Sequence, residues 1–263
     1  FVNNNFYYLT NIDQANVILL VGNVNNHHFE KLFIESVDPE VAKWLGATLT
    51  HEEASELSGI AMQDILDINM FEKYTDSLYQ SNRYGLMEAH TVYLDLEYRD
   101  IPLYNTFGRV YAKTVRDRFP SVKIENCYNM IISLRMCKNE KEVALIKESI
   151  ATTKRAILNV MSHHNELSNE SIANAYHDFT IIKEGKNLSF NDIIASGHNA
   201  TVLHYDDNNS DILPNSLLLM DVGCYTKHYS SDITRTFPVN GKFTERQKEV
   251  YEFVLDTNKK CIE

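Results

Sequence analysis

The residues of this chain whose types and spacing could do chemistry stand in the stretch Leu217-Leu-Leu-Met-Asp221 through Asp232-Ile-Thr-Arg-Thr-Phe237. Asp221 closes an apolar run, and burying an ionised carboxylate there is costly unless a cation or hydrogen-bond donors receive it. Asp232 lies in a second strand-like run. A hairpin with its bend at Thr226-Lys227 would set the two directly opposite each other, with Cβ atoms about 4.5–5.5 Å apart. Like charges that close repel, and a shared proton or a bound metal relieves them. Two ions about 3.5–4 Å apart are what a hydrolase uses to polarise a carbonyl and activate water. Oxygen-rich ligation suits harder ions such as Mn²⁺. On residue types alone the plainer alternative stays open: Asp221 ends a strand and Asp232 is solvated or salt-bridged. Thr-Lys is also not a favoured two-residue turn.

Elements must position these groups. Asn139 followed by Glu142 has capping-box spacing and opens a helix. Its apolar stripe is Val143, Ile146, Ile150, Ile157 and Val160, over about five turns. A second helix starts near Asn169, with Ile172, Tyr176 and Phe179 on one face and Gly185 as its stop. Strands follow at Phe190–Ala195, Leu217–Asp221 and Tyr229–Phe237, and Thr244 with Gln247 caps a last helix. Upstream, Val17–Val21 and His28–Ile34 read as paired strands, and Thr50 with Glu53 caps a short helix that Gly59 can close. Val92, Leu94 and Leu96 alternate as in a half-buried strand, and Tyr104 to Phe119 reads as a helix ended by Pro120. The texture changes near Arg135–Asn139. Two domains are expected, residues 1–136 of α/β type and residues 137–263 of α+β type.

Composition narrows the classes of function. Apolar residues at 44% and charged residues at 23% describe an ordinary globular chain. A net charge of −11 argues against a nucleic-acid binder. No run reaches the roughly 20 apolar residues of a membrane span. Cys127, Cys137, Cys224 and Cys261 form no CxxC pair, so neither a thiolate metal site nor a disulfide framework is expected. A reduced, cytoplasmic compartment is the simple reading. His27, His28, His163 and His164 read as surface residues, His228 as solvated in the bend, and Arg235 as a salt-bridge holder of the hairpin.

The segment Asp221-Val-Gly … Tyr229-Ser-Ser-Asp232-Ile-Thr-Arg-Thr-Phe-Pro-Val-Asn-Gly-Lys-Phe-Thr244 resembles the first metal-ligand block of the Xaa-Pro aminopeptidase/prolidase family. Ser196-Gly197 followed by Val202-Leu-His204-Tyr205 resembles the block before it. Arg135-Met … Asn139-Glu-Lys-Glu-Val143 resembles the entry to the catalytic domain. Phe6-Tyr-Tyr-Leu-Thr10 resembles the start of the amino-terminal domain shared with creatinase.

The resemblance implies a creatinase-like α/β domain followed by a pita-bread metallopeptidase domain, incomplete in this chain. It implies an enzyme that releases an amino-terminal residue before proline, using two divalent ions, expected to be Mn²⁺. Asp221 is implied as terminal ligand of one ion, Asp232 as the carboxylate bridging both, and His204 as a substrate-contacting group that is not a ligand. Trp44 and His198 are candidates for the substrate pocket. One further His and two Glu are implied beyond Glu263, so residues 1–263 alone are expected to be inactive. A peptide with proline second is the expected partner, in a homodimer or larger assembly. The alternatives are an Xaa-Pro dipeptidase and a pita-bread peptide-binding module without catalysis.

Overall fold

A computed structural model describes residues 2–80, 89–97 and 106–263. They form two units, Phe1–Cys137 and Lys138–Glu263. In the first, helix α1 (Asn4–Thr10) leads into strands β1 (Val17–Val24) and β2 (His27–Ile34), paired antiparallel with Val17 opposite Ile34. Their bend, Asn25-Asn26, has φ of 53° and 64°, as a two-residue turn with both central residues left-handed requires. After α2 (Pro39–Leu45) and α3 (His51–Ser58), β3 (Ile65–Asp67) joins β2 in parallel. Then α4 (Phe71–Tyr79) precedes β4 (Thr91–Leu94), which pairs in parallel with β5 (Lys123–Asn126) across α5 (Phe107–Arg118). Helix α6 (Tyr128–Met136) ends the unit. Ile12, Leu32, Ile34, Ala54, Ile60 and Ile65 make one of its cores. Parallel pairing joined through helices is α/β architecture. The helix expected from Tyr104 begins at Phe107, and Tyr104 itself lies outside the described residues.

The second unit packs two long helices on antiparallel strands. They are α7 (Glu140–Ser162) and α8 (Glu170–Lys183), followed by β6 (Asn187–Leu188) and β7 (Ile193–Ser196). Next come β8 (Leu217–Val222), β9 (Cys224–Thr226), β10 (Tyr229–Ser230), β11 (Ile233–Pro238) and α9 (Glu245–Ile262). Strand β8 lies between β11 and β7, and β9 between β10 and β6. Leu218, Met220 and Val222 turn one face of β8 into a core with Ile157, Val160, Ala173, Ile194 and Phe237. By the two-residue period of a strand, Leu219 and Asp221 lie on the other face.

Two expected helix faces are corrected. On α7, Val143 is 36% and Ile150 43% exposed, while Ser149, Thr152, Thr153, Ala156, Ile157 and Val160 are buried. The Ser149 and Thr153 hydroxyls are matched by the hairpin, and that of Thr152 donates to Glu184 at 2.7 Å. Ser149 donates to the Tyr229 carbonyl at 2.7 Å, and the Thr153 and Ser231 hydroxyls meet at 2.8 Å. A polar seam therefore takes the place of the stripe at Val143 and Ile150, while Ile157 and Val160 are buried in the core as expected. On α8 the buried face is Glu170, Ala173, His177 and Ile181; Ile172 and Tyr176 of the expected face pack partly buried against the core, and Phe179 is exposed.

Candidate active site

The hairpin differs in register from the sequence expectation. Asp221 pairs with Thr234, and Ile233 with Val222, because the bend falls on Lys227-His228 rather than Thr226-Lys227. Both bend residues are left-handed, with φ of 48° and 66°, the geometry of a type I′ turn. Asp232 is thus a diagonal neighbour of Asp221, not its direct partner. Diagonal side chains on one face remain within reach of each other.

The two carboxylates do meet. Burial raises the pKa of Asp232 first, and the charge of Asp221 and a hydrogen bond with it raise it further. Thr234 donates its hydroxyl to Oδ1 of Asp221 at 2.7 Å, which orients that carboxylate. Gly223 shapes the turn-off between β8 and β9. A Cβ there would run into the Ser231 carbonyl and the Ser189 hydroxyl, so the chain can approach only as glycine. Two mutually repelling oxygen donors on one face are the donor type a hard divalent cation takes. Arg235 donates to the Thr234 carbonyl at 2.7 Å and forms no ion pair among the described residues, which corrects the expected salt bridge. His228 is half-buried against Tyr225, ring centroids 6.2 Å apart, rather than solvated.

His204 is exposed on the connection between β7 and β8 and makes no hydrogen bond among the described residues. His198 is also exposed, and its carbonyl takes the backbone N–H of Thr201 at 2.9 Å and the hydroxyl at 2.7 Å, closing a short turn. Trp44, in the first unit, is 89% exposed on α2. The histidines expected at the surface divide. His27 and His28 are exposed at the start of β2, whereas half-buried His163 stacks on Tyr176 at 4.2 Å.

Sequence reading missed a buried ionisable cluster. His177 is fully buried, with Nδ1 2.5 Å from Oδ2 of Asp192 and 3.4 Å from Oδ1 of Asp178. Ligand atoms of all three lie within 4.8 Å of one another. Nδ1 and Oδ2 are nevertheless closer than two ligands of one ion, which at bond lengths of about 2.0–2.2 Å stand roughly 3 Å apart. The contact is that of a buried ion pair. Burial disfavours the imidazolium, but hydrogen bonds to Asp178 and Asp192 and their charge outweigh it and raise the pKa to about 9. Burial likewise raises Asp192, so the folded chain holds the shared proton to a higher pH than the unfolded chain does. A raised folded-state pKa stabilises fully below the unfolded value of about 6.5 and loses that stabilisation as pH climbs through the folded value. The urea midpoint is therefore expected to fall between about pH 6.5 and pH 9. His177→Gln should flatten that slope, and an unchanged slope in the variant would contradict the assignment.

Residues 144–263 match the model of metallopeptidase family M24, and residues 2–86 match that of the aminopeptidase P N-terminal domain. Xaa-Pro aminopeptidase 3 of Dictyostelium discoideum is 30% identical, over 99% of this chain and 50% of that protein. A candidate aminopeptidase P from Bacillus anthracis, known as a structure, is 41% identical with a TM-score of 0.87, over 97% of this chain and 60% of that one. Zn-substituted Escherichia coli aminopeptidase P in complex with product is 25% identical with a TM-score of 0.80, over 97% and 57%.

The chain resembles the Xaa-Pro aminopeptidases of metallopeptidase family M24 in pairing an aminopeptidase P-type amino-terminal domain with a pita-bread domain, as the sequence led one to expect. It spans about half the length of the curated relatives it matches.

Proposed function

We propose that the protein is a dinuclear metalloaminopeptidase releasing the amino-terminal residue of a peptide whose second residue is proline. The observation that carries this reading is the meeting of Asp221 and Asp232 on one sheet face, inside the segment that matches family M24. Asp221 would hold one ion and Asp232 would bridge two, with Mn²⁺ the ion that oxygen donors favour. When bound, such ions polarise the scissile carbonyl and lower the pKa of water to make a nucleophile. Thr234 fixes Oδ1 of Asp221, and outer partners of this kind typically matter 10–100-fold to metal affinity. His204, exposed and unencumbered by other bonds, is free to meet the substrate and support the charge that develops on its carbonyl oxygen. His198 is the pocket contributor proposed within the second unit, and Trp44 on α2 of the first unit is proposed separately as a substrate contact. Proline offers a tertiary amide with no N–H, which a pocket can select by shape.

The proposed setting is the cytoplasm, supported by four free cysteines. No helix among the described residues is long and apolar enough to cross a membrane. A homodimer or larger assembly is proposed through the amino-terminal domain, where exposed Trp44 could reach a neighbour's pocket.

The test is metal dependence. The proposed full chain, one that supplies a further His and two Glu as ligands beyond Glu263, should stop cleaving a proline-second peptide when stripped with a chelator and recover on addition of Mn²⁺. Residues 1–263 produced alone should stay inactive with the same ion, because two carboxylates supply only part of two coordination shells. Chelator-resistant cleavage, or cleavage by residues 1–263 alone, would contradict the ligand set.

A further inference from the structure

Glu170, the first residue of α8, is fully buried, and every side-chain partner it has is a donor. Oε1 accepts the Ser196 N–H at 2.8 Å and the Asn199 amide at 3.2 Å, while Oε2 lies 3.5 Å from the same amide. Oε2 also accepts the Tyr205 hydroxyl at 2.6 Å and the Ser210 N–H at 3.0 Å. The backbone N–H of Glu170 in turn donates to the Ser210 carbonyl at 2.9 Å. A carboxylate is acceptor-only, so this set of donors matches its bonding capacity. Such charge-assisted bonds are roughly twice as strong as neutral ones.

These partners share a topological property. Ser196 ends β7, Asn199 follows it, Tyr205 adjoins His204, and Ser210 lies on the return toward β8. One side chain therefore ties both feet of the 197–210 connection, and the residue next to His204, to the start of α8. Neighbouring bonds reinforce the feet. Asn208 accepts the Ile194 N–H at 2.8 Å and donates to the Asp192 carbonyl at 2.7 Å, and Asn169 donates to the Asn209 carbonyl at 2.9 Å. The crown is otherwise open to solvent, with Leu203 88% exposed beside exposed His204. An exposed loop with no packing of its own at the tip takes its place from such anchors.

We infer that Glu170 is the positioning residue of His204, holding the connection through Ser196, Tyr205 and Ser210 so that the imidazole stands where the substrate carbonyl arrives. The inference rests on the peptidase reading for what His204 does, and on hydrogen bonding alone for where His204 is held.

Tyr205→Phe removes only the hydroxyl that links Glu170 to the crown, and Glu170→Gln keeps the size of the hub but turns an acceptor into a donor. Amide hydrogen exchange of the full chain should quicken in residues 197–209 for both variants, with β8 unchanged. Unchanged exchange in Tyr205→Phe would overturn the clamp even if Glu170→Gln fails to fold. Kinetics separate positioning from mere stability. Tyr205→Phe should lower kcat on the order of 10-fold with KM nearly constant, since misplacement of about 1 Å can cost 10²-fold. In a His204→Ala background the same change should cost nothing further, because there is no ring left to place. Losses that multiply would overturn the coupling. A parent protein with no peptidase activity would sink the peptidase reading, while the exchange result would still decide the clamp by itself.

Discussion

Replacing Asp232 with Asn in the full chain is expected to abolish binding of both metal ions and with it hydrolysis of proline-second peptides. The substitution keeps the shape of the side chain and removes its charge. A terminal ligand serves one ion, whereas a bridging carboxylate offsets the repulsion between two, so its neutralisation should release the pair. The same change removes a charge that burial, first, and the neighbouring Asp221 both disfavour. Asp232→Asn should therefore leave the fold intact, or slightly stabilised without metal, while kcat/KM falls by at least the order of 10²–10³ that losing one preorganised charge-stabilising group costs. Elemental analysis of the purified variant reads the metal, and its urea midpoint reads the fold. Two ions per chain in Asp232→Asn would contradict the bridging role.

His204→Ala should have the second largest effect, with a different signature. The ring makes no hydrogen bond to Asp221 or Asp232 among the described residues, so its removal should leave metal content unchanged. An interaction made only in the transition state lowers kcat and kcat/KM together, with KM nearly constant. A fall on the order of 10²-fold is expected, the scale of one lost donor to a developing oxyanion. Loss of the ions along with activity would make His204 a ligand instead. A rise in KM with kcat unchanged would make it a ground-state contact.

Much of the local structure was legible because its signals are local. Thr50 with Glu53, Asn139 with Glu142 and Thr244 with Gln247 have capping-box spacing, and each makes both reciprocal bonds. Gly59 and Gly185, read as helix stops, both adopt positive φ, at 75° and 69°. The hairpin register was harder to read, since it depends on which two residues take a left-handed bend. Lys227-His228 takes it without the Asn or Gly that would have advertised the turn. The buried face of α7 is legible at Ile157 and Val160 but not at its start, because apolarity alone cannot report that Ser149 and Thr153 have partners at Tyr229 and Ser231. Glu170 and His177 left no periodic trace. Both lie on the buried face of α8, where a sequence pattern anticipates only apolar residues, and their partners come from segments distant in the chain. For the candidate site, residue types mark Asp221 and Asp232 as a pair, while the role proposed for His204 rests only on the family resemblance.

The most direct measurement of the central claim is cleavage of two matched peptides that differ only in their second residue, proline or alanine, by the full chain with Mn²⁺. The account expects the amino-terminal residue to be released before proline at a kcat/KM at least about 100-fold higher than before alanine, the upper part of the roughly 10–200-fold that fit of a small apolar group spans. Equal rates on both peptides, or no cleavage of either by protein that holds two ions, would contradict it.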